Sequence, residues 1–208
     1  MNKHQIDLMV VSCDSYSDVW PYFFDNFFNF WQNCPLEIYL LSNNKTFSST
    51  KINQMKIGSD VSWSDNLING LKNLNNNYVL LLIDDLIINR RVSNNYFNNI
   101  SDWVNINNPN YLKLKKTRYS INNDSLSCKI PKFSLYKTSV LPSIWKVETL
   151  IRLLKKGESA WDFEIAGTKR AFSYDNFFSL RKDFIYYENS IIKGKWQRSI
   201  HSKIKNKF

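Results

Sequence analysis

The sequence predicts an α/β fold, a mixed and mostly parallel sheet flanked by helices, in one domain of 208 residues. Three observations predict it. Short apolar, β-branched runs alternate with stretches of helical period through the first half of the chain. The run Tyr78-Val79-Leu80-Leu81-Leu82-Ile83 has no polar alternate, which marks a central strand covered by helices on both faces. The third is bulk: 43% hydrophobic and 15% aromatic residues supply the apolar area needed to offset the chain entropy of one core.

Taken in order, Ile6 to Ser12 reads as a buried first strand. A helix follows, with Ser17 as N-cap and Pro21 in the first turn, where its missing N–H costs little. Trp20, Phe23, Phe24, Phe27, Phe28 and Trp31 share one stripe of it, as core residues do. Glu37 to Ser42 is a second strand and Gln54 to Ile57 a third. Ser64 starts a helix that buries Leu67, Ile68, Leu71 and Leu74, and Asn75 to Asn77 ends it before the Tyr78 to Ile83 strand. From Ser93 a helix turns Tyr96, Phe97, Ile100, Trp103 and Val104 inward and is closed by Pro109. Extended segments are expected near Tyr111 to Lys115 and Phe133 to Lys137, then a helix over Trp145 to Lys156 stopped by Gly157, then a short Glu158 to Gly167 element.

Composition narrows the function classes. Cys13, Cys34 and Cys128 lack the spacing of a disulfide framework or a zinc site, so a reducing compartment is expected. The polar start and the short Tyr78 to Ile83 run leave no export signal or bilayer span to expect. His4 and His201 sit at the two ends, away from every motif, which argues against a Ser-His-Asp hydrolase or a His-based metal site. Five glycines, none in a phosphate-loop pattern, argue against Walker or dinucleotide chemistry. A formal charge of +10 attracts polyanions. After Glu188 no acid follows, while Lys193, Lys195, Arg198, Lys203, Lys205 and Lys207 do, with Trp196 and Ile200 between them. That basic tail, residues 190–208, is either a solvated charged end or a contact for an anionic membrane. Nucleic acid is the poorer partner, because the aromatics fall on core stripes.

The chemistry is expected at Asp84 and Asp85, directly after the Tyr78 to Ile83 strand. Sites in such sheets lie at the carboxyl ends of strands. Two adjacent carboxylates there repel each other and resist desolvation unless something neutralises them. A hard divalent cation, Mn²⁺ or Mg²⁺, does so and can add diphosphate oxygens from a ligand. The plainer alternatives are a turn cap, or pairing with Arg90 and Arg91. A metal-dependent nucleotidyltransferase or nuclease would want a third carboxylate nearby.

The segment Gly58-Ser59-Asp60-Val61-Ser62-Trp63-Ser64-Asp65-Asn66-Leu67-Ile68-Asn69-Gly70-Leu71, followed by Tyr78 to Asp85, resembles the donor half of GT-A (Rossmann-like) glycosyltransferases. The opening Val10-Val11-Ser12-Cys13-Asp14-Ser15-Tyr16-Ser17-Asp18-Val19-Trp20 and the later Glu158-Ser159-Ala160-Trp161-Asp162-Phe163-Glu164 are similar to small bacterial glycosyltransferases of polysaccharide and lipopolysaccharide gene clusters. The family's usual acidic motif is Asp-x-Asp, whereas here the pair is adjacent.

The resemblance implies a cytoplasmic enzyme, peripheral on the inner membrane face, that moves a sugar from a nucleotide-sugar to a glycan or lipid-linked glycan. Residues 1–90 would form the donor half and 91–189 the acceptor half. It implies nucleotide contacts from Ser12, Cys13, Asp14, Asp60, Asp65 and Asn66, with Asp84 toward the ribose or the ion and Asp85 on the metal. Glu164 and then Asp162 are the implied catalytic bases, since inverting transfer needs a carboxylate to take the acceptor hydroxyl's proton. Ser159-Ala160-Trp161-Asp162 also reads as a capping box, with Asp162 starting a helix. Trp161 and Phe163 suit either a sugar-stacking wall or the core. Lys113, Lys115, Lys116 and Arg118 either offset leaving diphosphate charge or form a solvated strand face. A catalytically degenerate partner subunit is a further reading.

Overall fold

In a computed structural model, which describes residues 5–117, 121–122, 124–192 and 195–197, the chain folds around a nine-stranded sheet. The strands are β1 (Ile6–Val11), β2 (Ile38–Ser42), β3 (Asn53–Lys56), β4 (Tyr78–Ile83), β5 (Leu86–Ile88), β6 (Tyr111–Lys113), β7 (Ile121–Asn122), β8 (Ser127–Lys129), β9 (Ser143–Lys146) and β10 (Phe177–Leu180). All but β5 join the large sheet, in the order β3-β2-β1-β4-β9-β6-β10-β8-β7. The first four are parallel, and of the rest only β9 and β8 run against that direction. β5 pairs instead with β11 (Tyr187–Asn189), and β12 (Ile191–Ile192) pairs with β13 (Lys195–Trp196).

The uninterrupted apolar run of β4 predicts two covered faces, and both are present. Leu8, Val10, Leu80 and Leu82 face a core built with α1 (Trp20–Phe30) and α3 (Asn94–Asn107). Met9, Val11, Val79 and Leu81 face a second core with α2 (Trp63–Leu71), α4 (Val147–Leu153) and α5 (residues 160–170). The aromatic stripe of α1 is packed as expected, with Phe23 and Phe27 stacked and Phe27 against Trp31. Gly70 lets α2 approach the sheet, because a Cβ there would meet Leu41 Cδ1 at 2.6 Å.

Five expectations give way to tertiary structure. Ser17 is not the cap of α1: a tight turn over 14–19 intervenes, the helix begins after Val19, and Ser17 Oγ accepts from Lys45 Nζ at 2.7 Å. Ser62, not Ser64, caps α2, accepting from Asp65 N at 3.0 Å. Trp145 lies on β9 rather than on a helix, because insertion between β4 and β6 buries Ile144 and Trp145 on opposite faces, and the helix waits until Val147. Phe133 to Lys137 is a turn instead of a strand, closed by Ser134 N on Pro131 O at 3.1 Å, with Tyr136 at φ 51°. Pro109 does act as a stop, with Asn108 ending α3 in the left-handed region. Gly157 does not: α4 already ends at Leu153, where Leu154 turns extended, and Gly157 at φ 82° makes the separate turn that follows.

Candidate functional site

The carboxyl ends of β1 and β4, the start of α2 and one face of α5 enclose a cavity of about 420 Å³. That volume lies in the range of small-molecule sites. Strand β1 delivers Ser12 and Cys13, β4 delivers Asp84 and Asp85, α2 and its preceding loop deliver Asp60 and Asn66, and α5 delivers Glu164. With Trp161, which α5 also brings to the wall, eight of the residues picked out from sequence thus meet in one place.

Asp84 is only 3% exposed. It accepts a short hydrogen bond from Ser12 Oγ, which itself accepts from Trp20 Nε1 at 2.6 Å. Burial pushes its carboxyl up to about 7, the Ser12 bond opposes this, and the Asp85 charge adds to it. Asp85 is half-buried at the cavity wall, and burial raises its carboxyl too, partly offset by its own backbone N–H. Its carbonyl is fixed by Ser190, whose N and Oγ donate at 2.7 and 3.1 Å. Neither carboxylate meets arginine in the way the simpler alternative requires; the Arg90 guanidinium lies over the Tyr186 ring, 4.7 Å from its centroid.

On the opposite wall, α5 changes pitch. Its first turn, Ala160–Asp162, is α-helical, Phe163–Gly167 widens into a π turn, and Thr168–Arg170 returns to α. The cause is an inserted side chain: Thr138 Oγ1 donates toward Phe163 O at 3.3 Å and is 3.0 Å from Thr168 Oγ1. Gly167 leaves room for it, since a Cβ there would stand 2.9 Å from Phe163 Cδ2 and 3.3 Å from Thr138 Oγ1. Glu164 lies in that π turn, buried, with Oε1 accepting from Ser139 Oγ and Val140 N, both at 2.9 Å. Short π segments in helices recur at functional positions.

Asn66 is 5% exposed and its Nδ2 donates to Asp60 Oδ1 at 2.6 Å. The acceptor on Asp60 fixes the amide orientation and turns Asn66 Oδ1 away, where it is buried without a partner among the described residues. Such an acceptor is costly to leave unsatisfied.

Three expected residues are placed elsewhere. Asp14 accepts from the backbone N–H groups of Asn43, Asn44 and Lys45 at 3.0 to 3.1 Å, clamping the end of β1 to the end of β2. Desolvation would raise its carboxyl, but those donors and the Lys45 charge hold it below the ordinary value. Asp65 binds Ser62 Oγ and Gly157 N, at 2.7 and 2.8 Å, joining α2 to the loop before α5. Asp162 completes the capping box with Ser159, accepting from its N and Oγ at 3.0 and 2.7 Å, and is exposed. Glu158 is bidentate with Arg170 at 2.8 and 2.6 Å. None of these four lines the cavity.

The sheet edge also carries cations. Lys113 is largely buried, and desolvation lowers its ammonium while Glu164 pulls the other way. Lys115 Nζ lies 5.1 Å from the Tyr187 ring centroid, and Lys116 N donates to Asp183 at 2.8 Å. Arg118 and most of the basic tail fall outside the described residues; within them, Trp196 Nε1 donates to Asp18 at 3.2 Å. Sequence reasoning missed Tyr16, Trp63 and Val140 in the cavity wall. Tyr16 was legible as the first aromatic after the β1 end, whereas Val140 depends on the unforeseen 138–140 cradle.

Among the described residues no group of three His, Cys, Asp or Glu gathers as a ready metal site. A Mn²⁺ or Mg²⁺ ion nevertheless fits the chemistry of Asp84 and Asp85, two desolvated oxygen donors that make no ion pair among the described residues. Such ions take one or two carboxylates and complete their shell with phosphate oxygen.

This arrangement defines the GT-A-like α/β fold. Crystal structures of S. aureus TarS share it: TarS 1-349 matches with TM-score 0.62 and 12% identity, over 89% of this chain and 60% of that one. TarS 1-349 in complex with UDP-GlcNAc matches at 0.59 and 14%, over 92% and 60%, and the complex with UDP at 0.56 and 12%, over 88% and 59%. The chain therefore spans about three-fifths of the length of those structures. No protein-family model and no curated protein matches the sequence. No helix among the described residues is long and apolar enough to cross a membrane.

Proposed function

We propose that this chain is a glycosyltransferase that moves a sugar from a nucleotide-sugar, with inversion, to a surface polysaccharide or lipopolysaccharide intermediate on the cytoplasmic membrane face. The observation that carries this reading is the single cavity joining Asp84, Asp85 and Asn66 on one wall to Glu164 on the other. Residues 1–90 act as the donor half and 91–189 as the acceptor half.

On the donor side, Asn66 Oδ1 lacks a hydrogen-bond donor, and the imino N–H of uracil or guanine supplies one. Cytosine presents an acceptor at the same ring position, so UDP- and GDP-sugars are favoured over CMP-sugars. Asp60 orients Asn66, and Ser12 and Cys13 line the same wall. Asp85, backed by Asp84, would hold a Mn²⁺ or Mg²⁺ ion, which when bound neutralises charge on the leaving diphosphate.

On the acceptor side, Glu164 takes the proton of the attacking hydroxyl. The hydroxyl oxygen forms the new bond to the anomeric carbon, and the bond from that carbon to the diphosphate oxygen breaks. Ser139 and Val140 hold the carboxylate by Oε1, leaving Oε2 to meet the hydroxyl. The TarS complexes with UDP and UDP-GlcNAc support the donor class as structures of the same fold.

The test is nucleoside diphosphate release from UDP-, GDP- and CMP-sugars, with and without Mn²⁺. Turnover of a UDP- or GDP-sugar that rises with Mn²⁺ is expected. Absence of binding to any of these donors by calorimetry would overturn the assignment.

A further inference from the structure

Far more apolar surface than one turn should tolerate stands in water at residues 131–136. Phe133, Leu135 and Tyr136 are 70%, 86% and 59% exposed, three large apolar side chains within four residues. Scattered surface apolar residues need no explanation, whereas a contiguous group marks a contact.

The turn is built firmly. At its entry Ile130 N donates to Phe177 O at 2.8 Å, and Ser134 N closes it on Pro131 O. At its exit Lys137 is buried, with Nζ donating to Ala171 O and Tyr174 O at 2.8 Å each. Phe133 rests edge-on against Phe172, with centroids 5.2 Å apart. The exposed tip is therefore held out by a fixed base, and its side chains are not left over from a loose loop. Around it stand the exposed cations Lys129 and Lys132, with Lys132 Nζ 5.9 Å from the Phe133 centroid, and Asp175 shares a pocket with them at the base of the turn.

We infer that this turn docks the protein on an anionic lipid bilayer. The tip combines the three chemistries a membrane interface selects: aliphatic and aromatic side chains that enter the acyl boundary, a tyrosine suited to the headgroup level, and lysines that reach anionic phosphates. A chain of charge +10 is drawn to such a surface from a distance. A stable protein partner asks for roughly 800 Å² from each side, far more than one turn presents, whereas a bilayer accepts a loop tip. Placement agrees. Tyr136 is four residues from the cavity-lining Val140, so their Cα atoms lie within about 14 Å by chain reach alone. The inference assigns docking to this turn rather than to the basic tail, and it stands on surface chemistry independently of the donor reading.

Co-sedimentation of the full chain with vesicles tests it, using phosphatidylcholine with and without phosphatidylglycerol. Wild type is expected to pellet with the anionic vesicles and to be released by salt. Combined Phe133→Ser, Leu135→Ser and Tyr136→Ser should lower partitioning by at least about tenfold, and Lys132→Glu by a few-fold. UDP binding should be unchanged in both. If the triple variant unfolds, Leu135→Ser alone, at an almost fully exposed position, should still weaken binding several-fold. Wild type that ignores anionic vesicles, or turn variants that pellet like wild type, would overturn the inference. Loss of UDP binding in wild type would instead strike the donor assignment.

Discussion

The two walls of the cavity treat their acids in opposite ways. At the end of β4, Asp84 and Asp85 are desolvated beside each other, and burial lifts both carboxyls. At the start of α5, Glu164 is buried as well but receives two donors on one oxygen, and Asp162 receives two while standing in water. The first wall is short of positive charge. The second already has what its anions need, and its geometry sets only where they point. A cation or a donor-bearing ligand therefore gains most at β4, whereas α5 offers a carboxylate whose orientation is set in advance, the condition for a general base.

The largest expected effect breaks the α5 side of this contrast. Glu164→Gln keeps the Ser139 and Val140 contacts in outline but cannot accept a proton. Transfer to acceptor should fall by about 10²- to 10⁴-fold in kcat, while donor affinity measured by calorimetry stays within about twofold. Equal losses in binding and turnover would place Glu164 in the donor site. Next comes the β4 side. Asp85→Asn should cost about tenfold to a hundredfold in kcat/KM and flatten the Mn²⁺ response, and full turnover in this variant would remove the metal role.

A third prediction reads the β4 wall through stability in metal-free protein. Burial raises the Asp84 carboxyl from 3.8 to about 7. Between those values the folded chain keeps a proton that the unfolded chain releases, so stability falls as pH climbs through the window and stays low above it. Asp84→Asn removes the charge and with it this loss. Its unfolding free energy, measured by denaturant titration at each pH, should therefore gain on wild type as pH rises across the window, by a few kcal/mol in all at about 1.4 kcal/mol per unit. A pH-independent difference would mean that the Asp84 carboxyl titrates normally.

The contrast between the walls was partly visible in the sequence, for reasons that separate along the chain. β1 and β4 announce themselves because strands covered on both faces need apolar runs, and Tyr78–Ile83 has one without a break while Ile6–Val11 has one interrupted only by Asp7. Their carboxyl ends then point to Ser12, Cys13, Asp84 and Asp85 without further information. β9 does not announce itself, since Ser143–Lys146 owes its extended form to β4 and β6 on either side, and Trp145 fits a helical stripe equally well. The same limit explains Asp14 and Asp65. Each is a polar residue at the expected place, but its carboxylate is claimed by N–H groups from Asn43, Lys45 or Gly157, contacts that no local pattern encodes. Thr138 and the π turn of α5 were illegible for the same reason, because the insertion joins segments about 25 residues apart.

The smallest effect separates the two acids of α5. Asp162 lies two residues before Glu164, yet its carboxylate is spent on Ser159 N and Oγ, which holds its pKa below the ordinary value. Asp162→Ala should thus remove one half of a capping box, read as a drop of at most a few degrees in Tm. Its effect on kcat should stay within about twofold, because the cap is exposed and the π turn that aims Glu164 is set independently by Thr138 and Gly167. A kcat loss as deep as that of Glu164→Gln, with Tm unchanged, would reverse the roles: the exposed acid would be the base, and the buried one a support for the 138–140 segment.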